Sequence, residues 1–128
     1  MGLRLIITAL CAIGLYASVF MLRKTRLAER GKLTERSVVQ TERARLFGAT
    51  PNALVGIAYY VLFAAAAWTL SGSAAWLIAE AAAIFAALTS AYLAYSLLFV
   101  TRMSCPYCWT AHAVNWLLPI LGLGLLAR

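Results

Sequence analysis

Cys105 and Cys108 enclose Pro106 and Tyr107 in a C-x-x-C spacing, which a helix N-terminus can close into a disulfide. Pro106 suits the first helical position, where a missing N–H costs nothing. Cys105 is then expected at or near the N-cap, beside free backbone N–H groups and the positive end of the helix dipole. Those features favour the thiolate, the nucleophile of disulfide exchange. Arg102 adds positive charge one turn earlier. Two other readings exist. A structural zinc site needs about four N or S ligands, and only Cys105, Cys108 and His112 are at hand. An inert strap between such close neighbours would add little stability. Redox work is the favoured reading. The third cysteine, Cys11, lies in an apolar run and reads as a packing residue.

Cys105, Cys108, His112 and Asn115 fall within an arc of roughly 80° at about 100° per residue, on one helical face. A redox pair thus continues into an imidazole and an amide that lie deeper in an apolar helix. Polar groups at that depth are costly and by default mark a site. The plainer alternative is that His112 and Asn115 bond neighbouring helices. Asn52 follows Pro51 at the start of another apolar run and is a further candidate, or a simple helix cap. Gly56, one turn on, would allow close helix approach, and Tyr59 shares that face.

The elements that must position these groups are membrane spans. The 128 residues are 64% apolar, with mean hydropathy +0.85. Soluble domains hold about 45–50% apolar residues, and so short a chain could not bury this surplus in water. Hydropathy gives four spans, about 5–22, 52–70, 74–100 and 106–127, each near the roughly 20 residues that cross a bilayer. Helices are required, since isolated strands would leave backbone groups unpaired in lipid. The first span is longer than a signal-peptide core and ends in a basic cluster, so it reads as a true span. The expectation is one all-α membrane domain over 1–128.

The polar loop 23–51 opens with eight basic residues between Arg23 and Arg45, accompanied by Glu29, Glu35 and Glu42. Charge beside membrane spans suits lipid headgroups and argues against nucleic-acid binding. Leu33, Val39 and Leu46 loosely suggest amphipathic turns, and Ser37-Val-Val-Gln40 fits a capping box that would start a short helix lying on the membrane. With four spans, this loop and the turn at 101–104 share one side. That side holds nine basic residues, against Arg4 and Arg128 on the other. The positive-inside rule puts the basic loop and the CPYC end in the cytoplasm. Glu80, in the third span, is attributed to closeness to the polar boundary, with a proton path as the alternative.

Three segments together resemble the vitamin K epoxide reductase family: Phe47-Gly48-Ala-Thr-Pro51-Asn52-Ala-Leu-Val-Gly56, Ser90-Ala-Tyr92-Leu, and Cys105-Pro-Tyr-Cys108-Trp-Thr-Ala-His112-Ala-Val-Asn115. The resemblance implies a four-helix bundle around a quinone of ubiquinone or menaquinone type, with electrons arriving from a thioredoxin-like thiol protein. It implies that Cys108 faces the quinone and Cys105 exchanges with the incoming thiol. Asn52 matches the family's asparagine that bonds a quinone carbonyl, and His112 falls where animal enzymes carry a tyrosine bonding the opposite one. Asn115, Gly56 and Tyr59 complete the expected quinone site.

Two features depart from the family pattern. The family usually carries a second cysteine pair in the first loop, and residues 23–51 contain none. Either a soluble partner reaches Cys105 directly or the relay pair belongs to another chain. The charge bias also inverts the usual orientation, which suits a cytosol where disulfides persist, as in hyperthermophiles. The expected activity is thiol oxidation with a quinone as acceptor, without a metal. The competing classes are a soft-metal carrier using the CPYC thiolates and a non-catalytic membrane subunit.

Overall fold

The computed structural model describes residues 1–35, 37–46 and 50–128. Arg36 and the Phe47-Gly48-Ala49 part of the family-like segment lie outside the described residues. Four helices form the protein: α1 (Gly2–Glu29), α2 (Asn52–Thr69), α3 (Trp76–Tyr95) and α4 (Pro106–Leu126). All are long and apolar enough to cross a membrane. The chain is an integral, multi-pass membrane protein built as an all-α bundle. Leu62, Ile78, Phe85 and Leu88 are all largely exposed, as suits side chains whose solvent is lipid.

α1 is longer than the expected 5–22. It continues through the basic cluster because Arg, Lys and Glu sustain a helix in water. Arg26 and Glu29 pair across one turn at 3.0 Å, and Arg45 of the loop reaches Glu29 at 2.8 Å. The third span divides. α3 ends at Tyr95, and a π-helical turn, Ser96–Thr101, carries the chain to Arg102 in the left-handed conformation. There Arg102 Nε donates to the Phe99 carbonyl at 3.3 Å, so its side chain closes the π-helical end rather than turning to the cysteines.

The expected amphipathic helix in the loop is a pair of 3₁₀ turns, Val38–Gln40 and Glu42–Ala44. Gln40 Oε1 accepts the Ser37 backbone N–H at 3.1 Å, but three residues satisfy this box and no full helix follows. Val39 is buried. An antiparallel pair of two-residue strands, β1 (Arg45–Leu46) and β2 (Thr50–Pro51), returns the chain to α2.

α1 packs along α2 and α4, and α3 along α4, while α2 and α3 touch far less. Glycine permits the closest crossings. A Cβ added to Gly14 would lie 2.5 Å from the Tyr60 ring, and one on Gly56 would lie 2.7 Å from Ser18 Oγ. Three tryptophans pin helix pairs through their indole N–H: Trp68 to Thr8 Oγ1 at 2.9 Å, Trp76 to the Gly122 carbonyl at 3.1 Å, and Trp116 to the Ala87 carbonyl at 3.2 Å. The core gathers Ile7, Cys11, Tyr60, Phe63, Trp76, Val114 and Leu118. Cys11 is a free, buried thiol within it.

Glu80 corrects an expectation. It lies one turn into α3, but only 3% of it is exposed, so solvation at the boundary does not account for it. Its carboxylate fills the space that Gly122 of α4 leaves by lacking a side chain.

Candidate functional site

Cys105 is the N-cap of α4 and Pro106 its first residue. The Cys108 backbone N–H donates to Cys105 Sγ at 3.2 Å, satisfying one of the free N–H groups at the helix start. The two cysteines form a disulfide, with their Cα atoms 5.2 Å apart. The end of α1 presses against this turn. The Phe20 ring stacks on Tyr107 with centroids 3.9 Å apart, and Met21 Sδ lies 3.9 Å from Cys105 Sγ. Cys105 is buried at 6% exposure, whereas Cys108 is half-buried and opens inward.

Inward lies a cavity of about 350 Å³, within the roughly 300–1,000 Å³ of small-molecule sites. Cys108, His112 and Asn115 line it from α4, and Asn52, Gly56 and Tyr59 from α2. Thr89 and Ser90 of α3, Met21 and Thr25 of α1, and Val38, Val39 and Arg43 of the loop contribute the remaining walls named here. Six of the seven expected site residues therefore meet at one cavity. Cys105 stands outside its lining.

The polar groups around the cavity differ in their commitments. Asn115 is engaged on both sides: its Oδ1 accepts from Tyr60 Oη at 2.8 Å, and its Nδ2 donates to Ser90 Oγ at 2.7 Å. It ties α2, α3 and α4 together, as the plainer reading expected, and its contribution to the site is to hold the walls. Pro119, one turn deeper, has no N–H to give the Asn115 carbonyl, yet α4 continues through it to Leu126. Asn52 Nδ2 donates to the Arg43 carbonyl at 2.6 Å and so fastens the loop over the cavity. Pro51, not Asn52, is the N-cap of α2. His112 is only 7% exposed, and its Nδ1 has no hydrogen-bond partner among the described residues. The buried Tyr59 hydroxyl is likewise unpartnered there. Both side chains line the cavity, but these two atoms are themselves sealed by the surrounding protein.

The sequence model of the vitamin K epoxide reductase family matches residues 5–123. The chain belongs to that family. No individual curated protein matches it. Membership makes this vitamin K epoxide reductase family protein a membrane oxidoreductase, and its disulfide and cavity lie side by side, as such chemistry needs. Sequence reasoning missed Tyr60, Thr25 and Arg43 as partners of the site. Tyr60 was hidden beside Tyr59, because adjacent residues face about 100° apart and the reading chose one face. Thr25 lies within the basic cluster, where no apolar pattern points inward. Arg43 lies 5.3 Å from the Tyr92 ring centroid, a cross-loop contact with no signal in spacing.

Proposed function

We propose that the protein is a quinone-dependent thiol oxidase that makes disulfides in a soluble, thioredoxin-like partner. The reading rests on one observation: Cys108 and His112 share an apolar cavity large enough for a quinone ring. Asn52 and His112 are suited to hold the two carbonyls, since an amide and an imidazole N–H both donate. A quinone of ubiquinone or menaquinone type, when bound there, supplies a two-electron, two-proton acceptor that exchanges with the bilayer.

The chain's own residues carry the thiol chemistry. A partner thiolate attacks Cys105 Sγ, the Cys105–Cys108 bond breaks, and Cys108 leaves as thiolate. The partner's second thiolate then attacks its own bridged sulfur, releasing a partner disulfide and a Cys105 thiolate. The Cys108 N–H at the helix N-cap stabilises that Cys105 thiolate. Met21 and the Phe20–Tyr107 stack cover Cys105 in the disulfide form, so this attack requires the unbranched Met21 side chain to swing aside. Cys108, on the cavity wall, returns two electrons as the disulfide re-forms. Asn52 and His112 orient the acceptor, and hydrogen-bond donors fixed there stabilise the oxygens as charge develops. Asn115, Tyr60 and Ser90 keep α4 in register against α2 and α3.

We further propose that the CPYC end and the basic loop face the cytoplasm, on the nine-to-two distribution of basic residues. The loop lacks a relay pair, so the partner acts on Cys105 directly.

The test is anaerobic turnover of a dithiol with a ubiquinone or menaquinone analogue. Wild type should reduce the quinone, and Cys108→Ala should not. No reduction by wild type, or undiminished reduction by Cys108→Ala, would contradict the proposal.

A further inference from the structure

Met21 stands on two boundaries at once. Its Sδ lies 3.9 Å from Cys105 Sγ, and Cys105 is the cysteine outside the lining of the cavity. With Ala17 and Thr25, four residues to either side, Met21 also forms the α1 wall of that cavity, because residues four apart share a helix face. The side chain that covers Cys105 therefore borders the space in which a ring would meet Cys108.

The rest of the cover is fixed. Phe20 stacks on Tyr107 with centroids 3.9 Å apart, and Lys24 Nζ lies 5.3 Å from the Phe20 centroid. Tyr16 packs on Tyr107 as well, at 6.4 Å. These aromatic rings hold one another, and they sit beside Met21 without room to give. The Met21 side chain is different. It is unbranched and turns about several bonds, and the open space next to it is the cavity of about 350 Å³. Its way off Cys105 is into that cavity.

We propose that Met21 is a positioning residue that makes ring binding in the cavity and thiol attack on Cys105 mutually exclusive. The proposal rests on the quinone reading above. With the cavity empty, the thioether turns into it and bares Cys105 Sγ. With a ring against Cys108 that space is taken, and the thioether stays on Cys105. A partner thiolate therefore bonds Cys105 Sγ only while the cavity is free. The Cys105–Cys108 bond breaks and Cys108 leaves as thiolate, with no acceptor beside it. The partner's second thiolate then displaces Cys105 and carries its disulfide away, so a fully reduced pair meets the quinone. The order has a chemical use. While Cys105 is still bridged to the partner, Cys108 has no second thiol with which to complete a two-electron transfer.

The test follows disulfide opening rather than turnover. The full chain in detergent, in its disulfide form and without oxygen, is mixed with dithiothreitol, quenched with acid at intervals and alkylated. The opened pair is counted by mass. The reaction is repeated with saturating dimethylphthalazinedione, a flat fused-ring dione that thiols do not reduce. Its binding is followed by fluorescence of Trp109 and Trp116, whose rings flank His112. In wild type the dione should slow opening by about tenfold or more, because the rate follows the fraction of molecules with Cys105 bare. In Met21→Ala it should change the rate by less than about twofold. Met21→Val, also too short to reach Cys105, serves where Met21→Ala does not fold. Met21→Leu keeps the side-chain volume and should keep the slowing. Unchanged opening in dione-bound wild type or Met21→Leu, or full slowing in the shortened variant, overturns the exclusion and leaves the quinone reading standing. A dione that does not bind overturns the reading of the cavity, and the exclusion with it.

Discussion

His112 and Asn115 share one face of α4, and their surroundings give them different work. Asn115 has its hydrogen bonds filled by Tyr60 and Ser90, while His112 Nδ1 is left without a partner among the described residues. Replacing each should therefore have opposite signatures. His112→Phe should raise the quinone KM by about tenfold, the value of roughly 1.4 kcal/mol from one lost hydrogen bond, with thermal stability held. Asn115→Leu should instead lower bundle stability by about 1–2 kcal/mol, because Ser90 loses its donor and Tyr60 keeps only the longer bond to the Ala111 carbonyl at 3.3 Å. Thermal melts and quinone titrations of the two variants separate the roles, and the account is wrong if both variants change affinity alone. At this scale the sequence was informative where geometry is local. The N-cap of Cys105 follows from Pro106 and the start of an apolar run. Whether a polar residue is satisfied depends on distant helices, so Asn115 and His112 look alike until Tyr60 and Ser90 are placed beside them.

Helix positions were legible to within a few residues wherever the apolar run ended abruptly, as in α2 and α4. The misses have physical causes. α1 outlasts its hydropathy because charged residues prolong a helix beyond the membrane. The π-helical turn at Ser96–Thr101 has no compositional mark, since its wider turn departs from the period on which sequence patterns rest. The close approach of α1 to α2 was partly readable, from Gly56, though its partner Ser18 was not. Gly56→Ala should cost about 1–3 kcal/mol by overpacking against Ser18. Combining it with Ser18→Gly should recover most of that loss, measured by unfolding in detergent. A double variant no more stable than Gly56→Ala alone would remove Ser18 as the point of contact.

The whole molecule is a bundle whose redox end and basic loop lie on one side. Asn52 ties the loop to α2 through the Arg43 carbonyl, and Val38 and Val39 close the cavity beneath it, so the loop acts as a cover. Asn52→Ala removes that tie together with a proposed quinone ligand. It should weaken quinone binding by about tenfold and speed proteolysis of the loop near Arg43, whereas His112→Phe should leave proteolysis unchanged. Sidedness is readable from vesicles: a membrane-impermeant maleimide should label reduced Cys105 from the cytoplasmic face. Labelling from the other face alone would reverse the proposed orientation.

The central claim is that electrons cross directly between the cysteine pair and a quinone in the cavity. Fully reduced protein, mixed anaerobically with one equivalent of a menaquinone analogue and quenched by acid and alkylation, reports both products of a single turnover. The account predicts one quinol formed for each Cys105–Cys108 disulfide, at matching rates. Disulfide formation without quinol, or a reduced pair that persists beside excess quinone, would contradict it.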